Sequence, residues 1–276
     1  MLIVKKVLNN NVLVASHPDY DEVVLIGKGL GFGKSSGDEV GREQAEKFFV
    51  LKEESEQKQY QQLMHYIDEG FLALMNDVIE LIEEKLTTRL FEHIHVALTD
   101  HLFYAIKRIK QGQAIVNPFL KETELAYPKE FKVATDIREF VYEKLDVLLP
   151  DSEIGFIALH IHSGITNRSL QDVNAHTRLI SQLVDIIEQR LQIKVDRTEI
   201  NYLRLVRHLH FAIERIEDEK YLDPMEALKE VLQKEYPVCY NLSWNLIKVM
   251  QQSLKKQIPE GEAVYLTLHL QRLTQN

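Results

Sequence analysis

The chain repeats itself, and the repeat carries histidines. LTDHLFYAIKRI, with His101 followed by Ala105 and Arg108, recurs as RLVRHLHFAIERI, with His208 followed by Ala212 and Arg215. EIGFIALHIHS, where His160 follows Glu153, recurs as EAVYLTLHLQR, where His269 follows Glu262. Tyr127-Pro128 returns as Tyr236-Pro237 and Pro150 as Pro259, all at an offset of about 108 residues. A unit this long exceeds any solenoid repeat and fits duplication of a whole domain. The two copies take residues 60–168 and 169–276, and residues 1–55 form a separate N-terminal piece. That piece is near the lower limit for folding alone, so dimerisation is expected.

The first 33 residues read as strands. LIVKKVL and VLVAS are short β-rich runs separated by the turn-forming Asn9-Asn10-Asn11. His17 to Asp21 is a second turn before EVVLIG, and glycines 27, 29, 31 and 33 follow. Lys34–Glu43 reads as a polar loop and KFFVLK as a further strand, giving a small antiparallel sheet. From Glu53 the pattern becomes helical, with proline marking breaks in each copy and TNRSLQDVN (166–174) as the link between copies. The fold class expected is multidomain and mainly α: a small N-terminal antiparallel sheet followed by two homologous all-α bundles.

On a helix, His101, Ala105 and Arg108 share a face, as do His208, Ala212 and Arg215. Imidazole is a good nucleophile toward an activated phosphoryl group, and a guanidinium can pair with the phosphate received. Glu153 and Glu262 stand seven residues before His160 and His269, on the same helix face, placed to orient the ring or to cap the helix start. His-x-His occurs at His93/His95, His160/His162 and His208/His210. On helices these pairs diverge by roughly 200°, which spoils chelation, so no metal is expected. No nucleotide-binding glycine motif, Ser-His-Asp arrangement or HExxH is present, so neither cofactor nor enzymatic chemistry is expected.

Composition bounds the setting. No apolar run is long enough for a transmembrane helix, and the N-terminus lacks a signal pattern. The single Cys239, read as a core residue, agrees with a reducing cytoplasm. Net charge is −9, which by itself argues against nucleic acid. Yet residues 1–37 set Lys5, Lys6, Lys28 and Lys34 against Asp19, Asp21 and Glu22, a small positive excess.

VKKVLNNNVLVAS, then VVLIGKGLGFGKSSGDEV, then two helical copies with paired histidines, resembles the transcriptional antiterminators of the BglG/SacY/LicT family over the whole chain. The resemblance implies a co-antiterminator RNA-binding domain (1–55) and two phosphotransferase-system (PTS) regulation domains (60–168 and 169–276). It implies a homodimer that binds an RNA antiterminator hairpin through Lys6, Asn11, Gly27, Lys28, Gly29 and Phe32. Lys28 stands where many relatives carry arginine. It also implies phosphorylation of His101, His160, His208 and His269 by a glucose-type PTS enzyme II and by HPr. Two rivals remain on residues alone: a histidine phosphocarrier, and a structural helical scaffold. A DNA-binding activator would need a helix-turn-helix, against which the β-rich start speaks.

Overall fold

The computed structural model describes residues 1–45, 47–50, 66–220 and 226–274. Five strands, β1 (Leu2–Asn9), β2 (Val12–His17), β3 (Asp21–Ile26), β4 (Glu39–Val40) and β5 (Lys47–Val50), form one sheet in the order β4-β1-β2-β3-β5. Each pairing is antiparallel. Strand alternation sends Leu13, Ala15, Val23 and Leu25 to one face, where Leu2, Val4, Leu30 and Val40 join them. Val12, Val14, Val24 and Ile26 take the other face, closed by Leu8, Ile67 and Leu72. A register slip between Val4 and Lys6 explains how β1 serves both faces: one extra residue inverts the alternation, so Leu8 lands opposite Val4. The expected loop at 34–43 holds more order than its polarity suggested. It contains β4, and the 3₁₀ turn Arg42–Gln44 follows.

Ten helices are present among the described residues: α1 (Glu69–Leu86), α2 (His93–Lys110), α3 (Leu120–Ala126), α4 (Pro128–Leu145), α5 (Asp151–Thr166), α6 (Leu170–Leu191), α7 (Ile200–Glu217), α8 (Glu226–Glu235), α9 (Pro237–Leu254) and α10 (Glu260–Leu273). They fall into two sets of five that follow the sequence repeat. The prolines act as punctuation: Pro128 and Pro237 open α4 and α9, and Pro150 and Pro259 cap α5 and α10. Of the helical run read from Glu53, residues 53–65 lie outside the described residues, and α1 is capped by Asp68, whose carboxylate accepts from the Phe71 N–H at 2.8 Å. The expected link 166–174 shrinks to Asn167–Ser169. Asn167 ends α5 in the left-handed conformation (φ 56°), and Ser169 caps α6 by accepting from the Asp172 N–H.

The chain divides into two compact units. The first holds Met1–Ile115 and Val133–Asn167, the second Val116–Lys132 and Arg168–Asn276. Helix α3, which belongs to the first copy by sequence, is therefore part of the second unit. A buried carboxylate anchors it there: Glu122 accepts from Arg197 at 2.7 Å and from the Tyr202 hydroxyl at 3.0 Å. In the first unit, the sheet packs through Val12, Val14 and Val24 against Phe71 and Leu72 of α1 and Val96 and Phe103 of α2.

Candidate functional sites

In the first unit, α2 lies against α5. The approach is close because Gly164 has no side chain where Ile94 packs, and the Gly164 carbonyl accepts from the Phe91 N–H at 2.8 Å. That contact sets two histidine-bearing faces together. The His101 and His160 rings are 4.8 Å apart. His160 is buried, and His101 keeps partial exposure. Glu153, in the first turn of α5 and 1% exposed, faces both His101 and Arg108: its Oε2 lies 3.0 Å from His101 Nε2 and its Oε1 accepts from Arg108 Nη2 at 3.1 Å. The His101 contact is an ion-pair approach, without the in-line geometry of a hydrogen bond. Burial pushes the Glu153 carboxyl up, but His101 and then Arg108 outweigh it, so the group sits below its usual range. Burial, with the neighbouring His101 and His93, holds His160 well below the ordinary imidazole range.

The second unit repeats the arrangement with one change. The His208 and His269 rings stack at 4.1 Å with 29° between their planes. Arg215 grips Glu262, itself 1% exposed, through three hydrogen bonds: Nε to Oε1 at 3.1 Å, Nη2 to Oε1 at 2.9 Å and Nη2 to Oε2 at 2.8 Å. Both oxygens of Glu262 are thus committed to the arginine, and His208 Nε2 is buried without a hydrogen-bond partner. Burial, then His269 and Arg215, take His208 down to about 3. His269 is also lowered, by burial and then by Arg272 and Arg204. The four candidate histidines therefore meet as two pairs. Arg108 and Arg215, read from sequence as phosphate partners, are instead bound to the two glutamates.

Five of the six candidate RNA residues, Asn11, Gly27, Lys28, Gly29 and Phe32, lie on the turn after β1 and the glycine loop after β3, while Lys6 lies within β1 opposite Val14. The Asn9-Asn10-Asn11 turn and the glycine loop after β3 are laced together. The Asn11 carbonyl accepts from Gly27 N–H at 2.9 Å, its side-chain Oδ1 from Gly29 N–H at 2.6 Å, and the Asn10 carbonyl from Gly31 N–H at 2.8 Å. Gly29 has φ +69°, which admits glycine and strains other residues, and open space lies where a Cβ would point. Lys6 and Lys28 are exposed, and Phe32 is 77% exposed. The Oδ1 bond to Gly29 escaped sequence reasoning, because only the folded turn brings those residues together. All three His-x-His pairs lie within helices, as the helical pattern of the segments around them predicted.

Known proteins agree with this organisation. Residues 2–58 match the CAT RNA binding domain, and residues 76–164 and 181–273 each match the PRD domain. The PtsGHI operon antiterminator of Bacillus subtilis is 54% identical over 271 residues, covering 98% of this chain and 96% of that protein. The GlcA/glcB genes antiterminator of Staphylococcus carnosus is 37% identical over 275 residues, 99% of this chain and 96% of that protein. The crystal structure of GlcT CAT-PRDI is similar at 53% identity with a TM-score of 0.52, covering 60% of this chain and 99% of that one. The chain belongs to the BglG/SacY/LicT family of transcriptional antiterminators, which join a CAT RNA-binding domain to two PRD domains.

Proposed function

We propose that the protein is an antiterminator of a glucose-type PTS operon. As a dimer it binds an antiterminator hairpin in the leader RNA and so prevents the overlapping terminator from forming. The observation that carries this reading is the ring-to-ring pairing of histidines in both PRD copies of a chain that begins with a CAT domain. The histidines accept phosphate from enzyme II or HPr, and those partners perform the transfer, so the chain itself needs no catalytic activity. Phosphorylation of the first copy switches the protein off when glucose is scarce; glucose uptake drains the phosphate and restores binding. A phosphoryl group adds roughly 1.5–2 negative charges at neutral pH, enough to disturb packing between acidic helical faces. Among the described residues no helix is long and apolar enough to cross a membrane.

For the RNA end, the lacing described above supplies a preformed surface. Phe32 offers a stacking face, Lys6 and Lys28 reach phosphates, and the glycines let a strand approach the backbone. A gel shift of the full chain with a labelled hairpin, titrated with salt, tests this. Phe32→Ala is expected to cost about 1–3 kcal/mol in affinity, the worth of one base stacked on an aromatic ring. Lys28→Ala is expected to flatten the salt dependence by nearly one unit of log–log slope. Equal affinity for both variants and the parent would remove the sheet end as the RNA site.

A further inference from the structure

The two PRD copies differ in what faces the first histidine of each pair, and that difference predicts unequal chemistry. The inference rests on the phosphoacceptor reading above. The geometry points to Glu153 as a positioning residue for phosphoryl transfer to His101, a role Glu262 does not play for His208 because Arg215 occupies both its oxygens. The charged and titratable groups facing His101 are Glu153 and His160 from α5 and Arg108 and Asp100 from its own helix. Of these, Glu153 alone is seen at ion-pair distance from the ring, with its Oε2 at 3.0 Å from Nε2.

A carboxylate beside Nε2 favours the tautomer that carries its proton there, leaving the lone pair on Nδ1. Nε2 is also buried, so Nδ1 is the nitrogen left to react. In the transfer, the Nδ1 lone pair forms a new P–N bond as the bond from phosphorus to the donor's leaving atom breaks, and that bond's electron pair leaves with the donor atom, which in phosphoramidate is the ammonia nitrogen. The Nε2 proton stays in place. The ring becomes cationic as the bond forms, and the buried Glu153 carboxylate stabilises that charge at close range. Arg108 contributes indirectly: it keeps Glu153 ionised and offsets its repulsion toward an incoming phosphoryl group. His208 lacks this assistance. Among the described residues no carboxylate is seen at ion-pair distance from its ring, and the Glu262 charge is spent within the Arg215 pair.

The test uses the full chain and phosphoramidate, a small donor whose leaving group is ammonia, with phosphate located by peptide mass spectrometry and its ring nitrogen by 31P–15N NMR. Glu153→Gln is expected to slow phosphorylation of His101 by roughly tenfold or more and to change its pH profile; Glu153→Asp, which keeps the charge but draws it back, should recover part of the rate. Glu262→Gln is expected to leave His208 within about twofold of the parent. If the glutamine variant does not fold, the aspartate variant decides alone, by an intermediate rate at His101. Unchanged rates and profiles in the Glu153 variants, phosphate on Nε2, or an equal loss at His208 in Glu262→Gln would overturn the inference. The parent chain, tested separately with phosphorylated enzyme II and HPr, isolates the underlying reading. If neither donor labels any of the four histidines, the regulatory reading fails; normal labelling with insensitive Glu153 variants fails only the inference.

Discussion

At the scale of single residues, burial of the histidine pairs makes stability sensitive to acid. His160, His208 and His269 are all held below the ordinary imidazole range, chiefly by burial. A buried imidazole that refuses a proton in the fold accepts one when unfolded. The unfolded state then binds more protons, so stability falls as pH drops below about 6.5, by at most about 1.4 kcal/mol per pH unit for each group. For His208 the loss continues down to about 3. Thermal unfolding at about pH 7.5 and about pH 5.5 should therefore give a lower melting temperature at the acid value, and His208→Gln should shrink the difference. An identical difference in the variant would show that His208 is not a source of the acid sensitivity. The histidines themselves were legible from the repeat, but the arginines' true partners were not. Arg108 and Arg215 share a helix face with His101 and His208, which suggested phosphate. Their guanidinium groups instead cross to α5 and α10, and that choice depends on how two helices pack.

At the scale of elements, two contacts carry disproportionate weight. A methyl group on Gly164 would lie 2.5 Å from Ile94 Cδ1 and 2.9 Å from its Cβ, so Gly164→Ala must push α5 away from α2. Overpacking of this kind costs about 1–3 kcal/mol, and the altered spacing also separates His101 from Glu153. Reduced thermal stability together with slower His101 phosphorylation is the expected result; a variant with parental values of both would contradict the close-approach argument. Helix α3 depends on a different device. Glu122→Ala strips Arg197 and the buried Tyr202 hydroxyl of their shared acceptor. Arg197 is about a third exposed, so the loss should fall below that of a fully buried pair, at roughly 1–3 kcal/mol in denaturant unfolding. An unchanged midpoint would mean that apolar contacts alone seat α3. The repeat pattern placed this helix in the first copy, and nothing in LKETELA announces that its carboxylate meets an arginine 75 residues later.

At the scale of the whole molecule, the organisation was largely written in the sequence, because punctuation and periodicity are local properties. Asn9-Asn10-Asn11 makes a turn wherever it sits between strands, and Pro128, Pro150, Pro237 and Pro259 mark helix starts in both copies. What escaped reading depends on tertiary meeting: the Asn11 bond to Gly29, the bulge that turns Leu8 to the second face of the sheet, and the capture of α3 by the second unit. The account joins the RNA end to the histidine pairs through phosphate control. The measurement that tests it most directly is a gel shift of the full chain against the antiterminator hairpin before and after phosphorylation by the glucose-type enzyme II, with His101→Ala alongside. The account predicts that phosphorylation weakens binding by about tenfold or more, equivalent to roughly 1.4 kcal/mol, and that His101→Ala escapes most of that loss. Equal affinity for phosphorylated and unphosphorylated protein, with phosphate demonstrably on His101, would contradict it.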